Sequence, residues 1–250
     1  MNGYSLWNPT GNLTVFSSLP EGTNPAELGK KLLSLEPGAE QAGFLSFEEE
    51  DCDVRLTMAG GEFCGNASLS AAAEFALNND LSIGSKDIVT LRCSGVKGAF
   101  SVEISREGEN SFRGTLAMPS PLGFLKDFPH HAVVFPGITH IILEAAESSL
   151  DARSVIRQWC RECNAEALGI LFYERAQQKL TPYVYVQAMD SLFRENACAS
   201  GTAAVGYYLA CSEGKEVSAV IKQPGGSLMV TADPGGRILL TGSTQLQKRV

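Results

Sequence analysis

Two cysteines in matched surroundings are the residues of this chain best placed to do chemistry. One lies in Glu62-Phe63-Cys64-Gly65-Asn66-Ala67-Ser68, the other in Glu195-Asn196-Ala197-Cys198-Ala199-Ser200-Gly201-Thr202. An acidic residue stands two or three positions before each, and small or hydrogen-bonding residues lead into a helix-forming run after it. A cysteine so placed sits at a helix N-terminus. The unpaired N–H groups and the positive dipole end there favour a thiolate, lowering the pKa from about 8.5. The same N–H groups bind carboxylates, and glycine lets the backbone come close to the ligand. Either cysteine alone would read as a buried packing residue. The matched pair points to function.

Two like thiols suit the inversion of a carbon centre. A base on one face removes a proton while an acid on the other face returns one, and the roles exchange in the reverse direction. The carbanion formed next to a carboxylate needs fixed donors and exclusion of water. The expected activity is an amino-acid racemase or epimerase with Cys64 and Cys198 as the acid–base pair. Gly65, Asn66, Ser200, Gly201 and Thr202 are candidates for holding the substrate. Glu195 and Asn196 are candidates for the α-amino group or for fixing the Cys198 turn. Paired thiols make pyridoxal phosphate unnecessary, so no cofactor and no metal are expected. Cys52, Cys93 and Cys211 read as packing residues, and the Cys160-Arg161-Glu162-Cys163 pair lies inside a predicted helix. His130, His131 and His140 make no standard metal spacing, and none is placed to be a base.

The elements that must position these residues recur. An apolar run at 43–47 and an alternating strand at 54–58 precede the Cys64 turn. An Ala-rich helix at 67–77, a strand at 88–93, a Ser94-Gly95 turn and a strand at 99–104 follow it. The second half repeats the order: a run at 169–173, a strand at 183–186, the Cys198 turn and a small-residue helix at 202–210. A strand at 219–222, a Pro224-Gly225-Gly226 turn and a strand at 227–231 complete it. Two further helices are expected, one opened by Asn24-Pro25-Ala26-Glu27 and one over 149–164. The repeat predicts two lobes, 1–118 with Cys64 and 119–250 with Cys198, the last strand returning to the first lobe.

Bulk properties narrow the class. A hydrophobic share of 44% and a charged share of 19% fit a globular domain large enough for a proper core. A net charge of −8 with no Lys/Arg run argues against nucleic acid or an anionic membrane as partner. There is no apolar run of about 18 residues and no signal-peptide pattern at the start. Seven scattered cysteines, an odd number, read as free thiols in a reducing cytoplasm. The expected partner is a small amino-acid substrate. A homodimer is compatible, the sequence giving no oligomeric state.

The two cysteine turns resemble those of the diaminopimelate epimerase superfamily, which also contains proline racemase. The resemblance covers nearly the whole chain, including Asn8-Pro9-Thr10-Gly11-Asn12 and Gln223-Pro224-Gly225-Gly226-Ser227. It implies an α+β fold of two pseudo-symmetric lobes, each a mixed β-barrel-like sheet around a central helix, and two-base catalysis without pyridoxal phosphate. Within the superfamily the chain is most similar to the histidine racemase branch, which serves metallophore biosynthesis. Asn8–Thr14, Glu40-Gln41-Ala42-Gly43-Phe44, Gly61–Ala67 and Glu195-Asn196 carry that similarity. The branch implies that Glu40 recognises the substrate side chain and that Asn12 belongs to the site. Diaminopimelate epimerases show an Asn-Asp-Phe element, an Asp-Gly-Ser stretch and Arg-Gly-x-Gly-Glu-Thr, all absent here. The readings to separate are a histidine racemase, a divergent diaminopimelate epimerase or racemase of another amino acid, and an inactive ligand-binding homologue. Ala199 stands where the superfamily has glycine after the second cysteine, and alanine does not adopt a positive φ cheaply.

Overall fold

Strict alternation of buried and half-buried residues, as in β4 (Cys52–Met58), makes the sheet of the first part of the chain two-faced. The computed structural model describes residues 3–187 and 190–250, the side chains of Glu48 and Glu49 excepted. The chain divides into two units, Met1–Ala117 with Thr241–Val250, and Met118–Leu240.

In the first unit the strands are β1 (Tyr4–Pro9), β2 (Thr14–Ser17), β3 (Gln41–Glu49), β4, β5 (Lys86–Cys93), β6 (Phe100–Arg106) and β7 (Ser111–Ala117). They pair in sequence order, and the last strand of the chain, β16 (Ile238–Arg249), follows β7. β16 also pairs with β1, from Ser5 opposite Arg249 to Pro9 opposite Thr244, so the sheet closes on itself and leaves no edge. The β2–β3 and β4–β5 pairs are parallel. Their crossovers are α1 (Pro25–Leu35), capped by Asn24 on the N–H groups of Ala26 and Glu27, and α2 (Gly65–Asn78). α2 contacts β1, β3, β4, β5, β6 and β7 and is buried along residues 65–74. A helix buried all round needs small apolar residues on every face, which is what its alanines and serines provide.

In the second unit the strands are β8 (Gly123–Phe124), β9 (His131–Phe135), β10 (Ile138–Leu143), β11 (Ala167–Glu174), β12 (Lys179–Val186), β13 (Ser191–Arg194), β14 (Val217–Gln223) and β15 (Gly226–Ala232). The order is β8-β9-β10-β11-β12-β14-β15, with β13 paired to β12. Parallel pairing of β10 with β11 and of β12 with β14 again requires helical crossovers. These are α3 (Ala152–Glu162) and α4 (Ala199–Glu213). α4 contacts β9, β10, β11, β14 and β15, and it ends at Gly214, whose φ of 66° suits glycine. The expected helix over 149–164 is shorter: a 3-10 turn ends at Ser149 and Asp151 caps α3. Among the described residues no helix is long and apolar enough to cross a membrane.

Candidate active site

In the first unit Cys64 is the N-cap of α2, with extended backbone (φ −132°, ψ 111°). Its sulfur accepts the Ala67 N–H at 3.3 Å, and its thiol donates to Gln41 Oε1 at 3.0 Å. The Ser68 hydroxyl donates to the Cys64 carbonyl at 2.8 Å. Gln41 opens β3, and the residue before it, Glu40, accepts from Asn12 Nδ2 at 2.8 Å. A tight turn sets Asn12: the Gly11 N–H donates to Asn8 Oδ1 at 2.6 Å and the Asn12 N–H to the Pro9 carbonyl at 3.1 Å. Thr10 in that turn has a φ of 56°, a strained conformation for a β-branched residue. Asn12 is fully buried, and its Oδ1 has no partner among the described residues. Asn12, Glu40, Gln41 and Cys64 thus form one connected chain. Asn66 and Gly65, the first residues of α2, are buried beside it.

In the second unit Cys198 is the N-cap of α4 with nearly the same backbone (φ −120°, ψ 109°). Its sulfur accepts the Gly201 N–H at 3.3 Å and lies 3.6 Å from the Ser200 hydroxyl. Ser200 Oγ is 2.9 Å from Nε2 of His140, which is fully buried on β10. Burial drives the His140 pKa down to about 3, so the imidazole is neutral. Its Nδ1 lacks a partner among the described residues. A buried orphan lone pair costs less than a buried orphan N–H, which favours the tautomer with the proton on Nε2. That tautomer donates to Ser200, leaving the serine proton free to point at the Cys198 sulfur.

Burial is also the largest influence on the Cys198 thiol and raises its pKa well above the ordinary value. The Glu195 carboxylate raises it further, while the Ser200 hydroxyl and the Gly201 N–H pull it down. The thiolate expected at this helix start is therefore corrected: in a dry pocket beside a carboxylate the helix end does not win, and Cys198 rests as a thiol.

The family description of the histidine racemase CntK N-terminal domain matches residues 3–239. A histidine racemase of Fusobacterium nucleatum is 31% identical over 233 residues, covering 88% of this chain and 86% of that protein. The chain belongs to the histidine racemase family. A histidine racemase of Staphylococcus aureus is 23% identical over 248 residues, covering 92% of this chain and 88% of its own. Among solved structures, a predicted epimerase from Pseudomonas aeruginosa superposes with a TM-score of 0.74 at 13% identity, covering 100% of this chain and 98% of its own. A probable proline racemase from Agrobacterium radiobacter, with bound carbonate, gives 0.64 at 12% identity, covering 100% and 92%. Those likenesses describe the fold. Together with the family they make this chain an isomerase of the racemase and epimerase class, and the diaminopimelate and inactive-homologue readings are not favoured.

In this family member the residues singled out from sequence fall into two groups, one in each unit. Asn12, Glu40, Gly65 and Asn66 surround the Cys64 turn. Ser200, Gly201 and Thr202 form the first turn of α4, and Glu195 acts on Cys198 through its charge. Asn196 is exposed, and its carbonyl accepts from the Gly225 N–H at 2.8 Å. Ala199 is the first residue of α4 and is not among the residues with positive φ, so it carries no strain in place of glycine. Sequence reasoning set His140 aside only as a metal ligand and as a base, and it missed the contact of His140 with Ser200 and those of Gln41 and Gln223 with the two cysteines. The only available signal for the glutamines was their place beside Glu40 and before Pro224-Gly225. Cys160 and Cys163 lie at the end of α3, where burial raises both thiols, that of Cys163 to about 11. No cysteine among the described residues forms a disulfide.

Proposed function

We propose that this protein interconverts L- and D-histidine without a cofactor, using Cys64 and Cys198 as the two bases. The observation that carries the reading is the repeated motif: a buried cysteine capping a buried helix, its sulfur taking a backbone N–H of the first turn at 3.3 Å in both units. In one direction a thiolate takes the α-proton while the opposite thiol gives one up; in the other direction they exchange. In each unit the first N–H groups of the helix, those of Gly65 and Asn66 in one and of Ala199 and Ser200 in the other, are the donors offered to a substrate carboxylate and to the charge of the developing carbanion. Glu195 and Asn196 are the groups offered to the α-ammonium. Glu40, held by Asn12, receives an imidazole N–H. Ser200, steadied by His140, donates to Cys198 whenever it is a thiolate.

The recurrence also supports reading the units as the pseudo-symmetric lobes of a diaminopimelate-epimerase-like fold, 1–118 and 119–250, with β16 returning to the first. The free thiols suit a reducing compartment, the cytoplasm. The test is exchange in D₂O. Purified protein without pyridoxal phosphate should put deuterium at the α-carbon of histidine and give both enantiomers. Cys64→Ser and Cys198→Ser should each stay folded and lose about 10²–10⁴-fold in turnover. Near wild-type turnover in either variant would sink the two-thiol mechanism.

A further inference from the structure

Gln223, the last residue of β14, lies almost wholly buried beneath the Cys198 turn. Its Oε1 accepts the Cys198 N–H at 2.7 Å, and its Nε2 donates to Thr202 Oγ1 at 2.9 Å. Thr202 in turn donates its hydroxyl to the Cys198 carbonyl at 2.7 Å. Both polar groups of the Cys198 backbone are thus held in one ring of three hydrogen bonds closed by a single carboxamide. Two residues on, the Gly225 N–H donates to the Asn196 carbonyl at 2.8 Å and ties down the start of the turn. We infer that Gln223 is a positioning residue that fixes the direction of the Cys198 thiol through its peptide group, and that it touches no substrate.

The first unit shows what this position is for. Cys93 ends β5, as Gln223 ends β14, and it is equally buried. The Cys64 backbone and the Ser68 and Ser94 side chains border its sulfur and oppose the rise in pKa that burial imposes. Ser68 donates to the Cys64 carbonyl, as Thr202 does to that of Cys198. The glycine turn after Cys93 also seats on its cysteine turn: the Ser94 hydroxyl donates to the Glu62 carbonyl at 2.9 Å. A Cβ on Gly95 would lie 2.2 Å from the Phe63 nitrogen. The place that the Gln223 carboxamide takes at 2.7 Å from the Cys198 N–H belongs in the first unit to the Cys93 sulfur. The Cys198 turn is thus held by an amide hydrogen bond where the Cys64 turn has a sulfur as neighbour. Misplacing a reacting group by about 1 Å can cost about 10²-fold, which gives such a clamp its value.

This inference rests on the two-thiol reading, and one measurement separates them. Gln223→Met keeps the side-chain length and removes both hydrogen-bonding groups. Alkylation of the whole protein by iodoacetamide, followed by peptide mass mapping, gives separate rates for Cys64 and Cys198 and needs no substrate. A loosened turn exposes its thiol, so the Cys198 to Cys64 rate ratio should rise about fivefold, with histidine kcat falling about tenfold and KM changing less than kcat. Cys93→Ala should move the rate ratio the other way. An unchanged ratio, or a rise in KM with kcat untouched, overturns the role assigned to Gln223. If Gln223→Met does not fold, Gln223→Asn, which draws the carboxamide back by one methylene, is read by the same ratio. A wild-type protein that leaves histidine unchanged sinks the racemase reading, while the alkylation ratio still decides for or against the clamp.

Discussion

A thiol 5% exposed and facing a carboxylate is a reluctant base, and that decides how Cys198 must work. Below its pKa the thiolate fraction rises about tenfold per pH unit. The direction of turnover that starts with Cys198 as base should therefore gain kcat/KM steadily from neutral pH to about 9. Glu195→Gln removes the like-charge push, lowers the thiol pKa and should move that rise to lower pH. A profile flat over this range, or one that Glu195→Gln leaves in place, would contradict the account. In the proposed reaction Glu40 is the residue on which the choice of histidine rests. It is held by Asn12 at 2.8 Å, which fixes one carboxylate oxygen and orients the other. A charge-assisted bond from an imidazole is worth about 1.5–3 kcal/mol, so Glu40→Gln should reduce histidine turnover about tenfold or more. Steady-state kinetics with histidine and with a non-aromatic amino acid checks it, and an unchanged preference between the two removes Glu40 from the site.

At the scale of elements, each cysteine depends on a helix and on strand ends that could be read from the sequence within a few residues, and on contacts between them that could not. The starts of α2 and α4 were legible because Cys-Gly-Asn and Cys-Ala-Ser lead into runs of small residues. Even so α2 begins at Gly65, two residues earlier than expected. β4 was legible by its alternation. β16 was legible only as a last strand expected to return to the first lobe: its partner β1 lies at the other end of the chain, and Thr-Gly-Ser-Thr-Gln gives little local strand signal. β8, with two residues, and β13, mostly exposed, give less. The Asn12–Glu40 and His140–Ser200 contacts join residues 28 and 60 positions apart, a proximity that only the paired strands create. Gly169 shows how strictly they create it. It lies opposite His140 in the β10–β11 register, and a Cβ there would stand 2.0 Å from His140 Nδ1. Gly169→Ala must push the ring off Ser200. The expected cost is about 1–3 kcal/mol in denaturant unfolding and a several-fold loss of turnover. A variant as stable and active as the parent would show that the ring's place does not matter.

For the whole molecule, the same buried ring ties the catalytic arrangement to acid stability. His140 has a folded pKa of about 3 against an ordinary 6.5. Below pH 6.5 the unfolded chain takes up a proton that the folded protein refuses, so this group's contribution is complete above 6.5 and is lost as pH falls toward 3. Glu147, bonded by Arg194 and Tyr183, works the same way lower down, its folded pKa of about 2 standing against 4.5. Its pair is half exposed and screened by water, so its share is smaller. The two windows separate: between 6.5 and 4.5 the loss comes from the histidine, opposed in part by Glu62, whose carboxyl burial raises above 4.5 so that the folded protein takes up its proton first. Net charge is −8 at neutral pH and the isoelectric point is near 5.0, so unfolding is best followed from pH 6.5 to 5.5, where the chain stays negative and soluble. Over that unit of pH the free energy of unfolding should fall by up to about 1.4 kcal/mol, one proton's worth. His140→Gln, which cannot take up the proton, should flatten the slope while lowering the plateau through its poorer fit between Gly169 and Ser200. Equal slopes for parent and variant would mean that His140 is protonated in the folded protein. The donation through Ser200 to Cys198 would then have to be redrawn with a charged ring at its end.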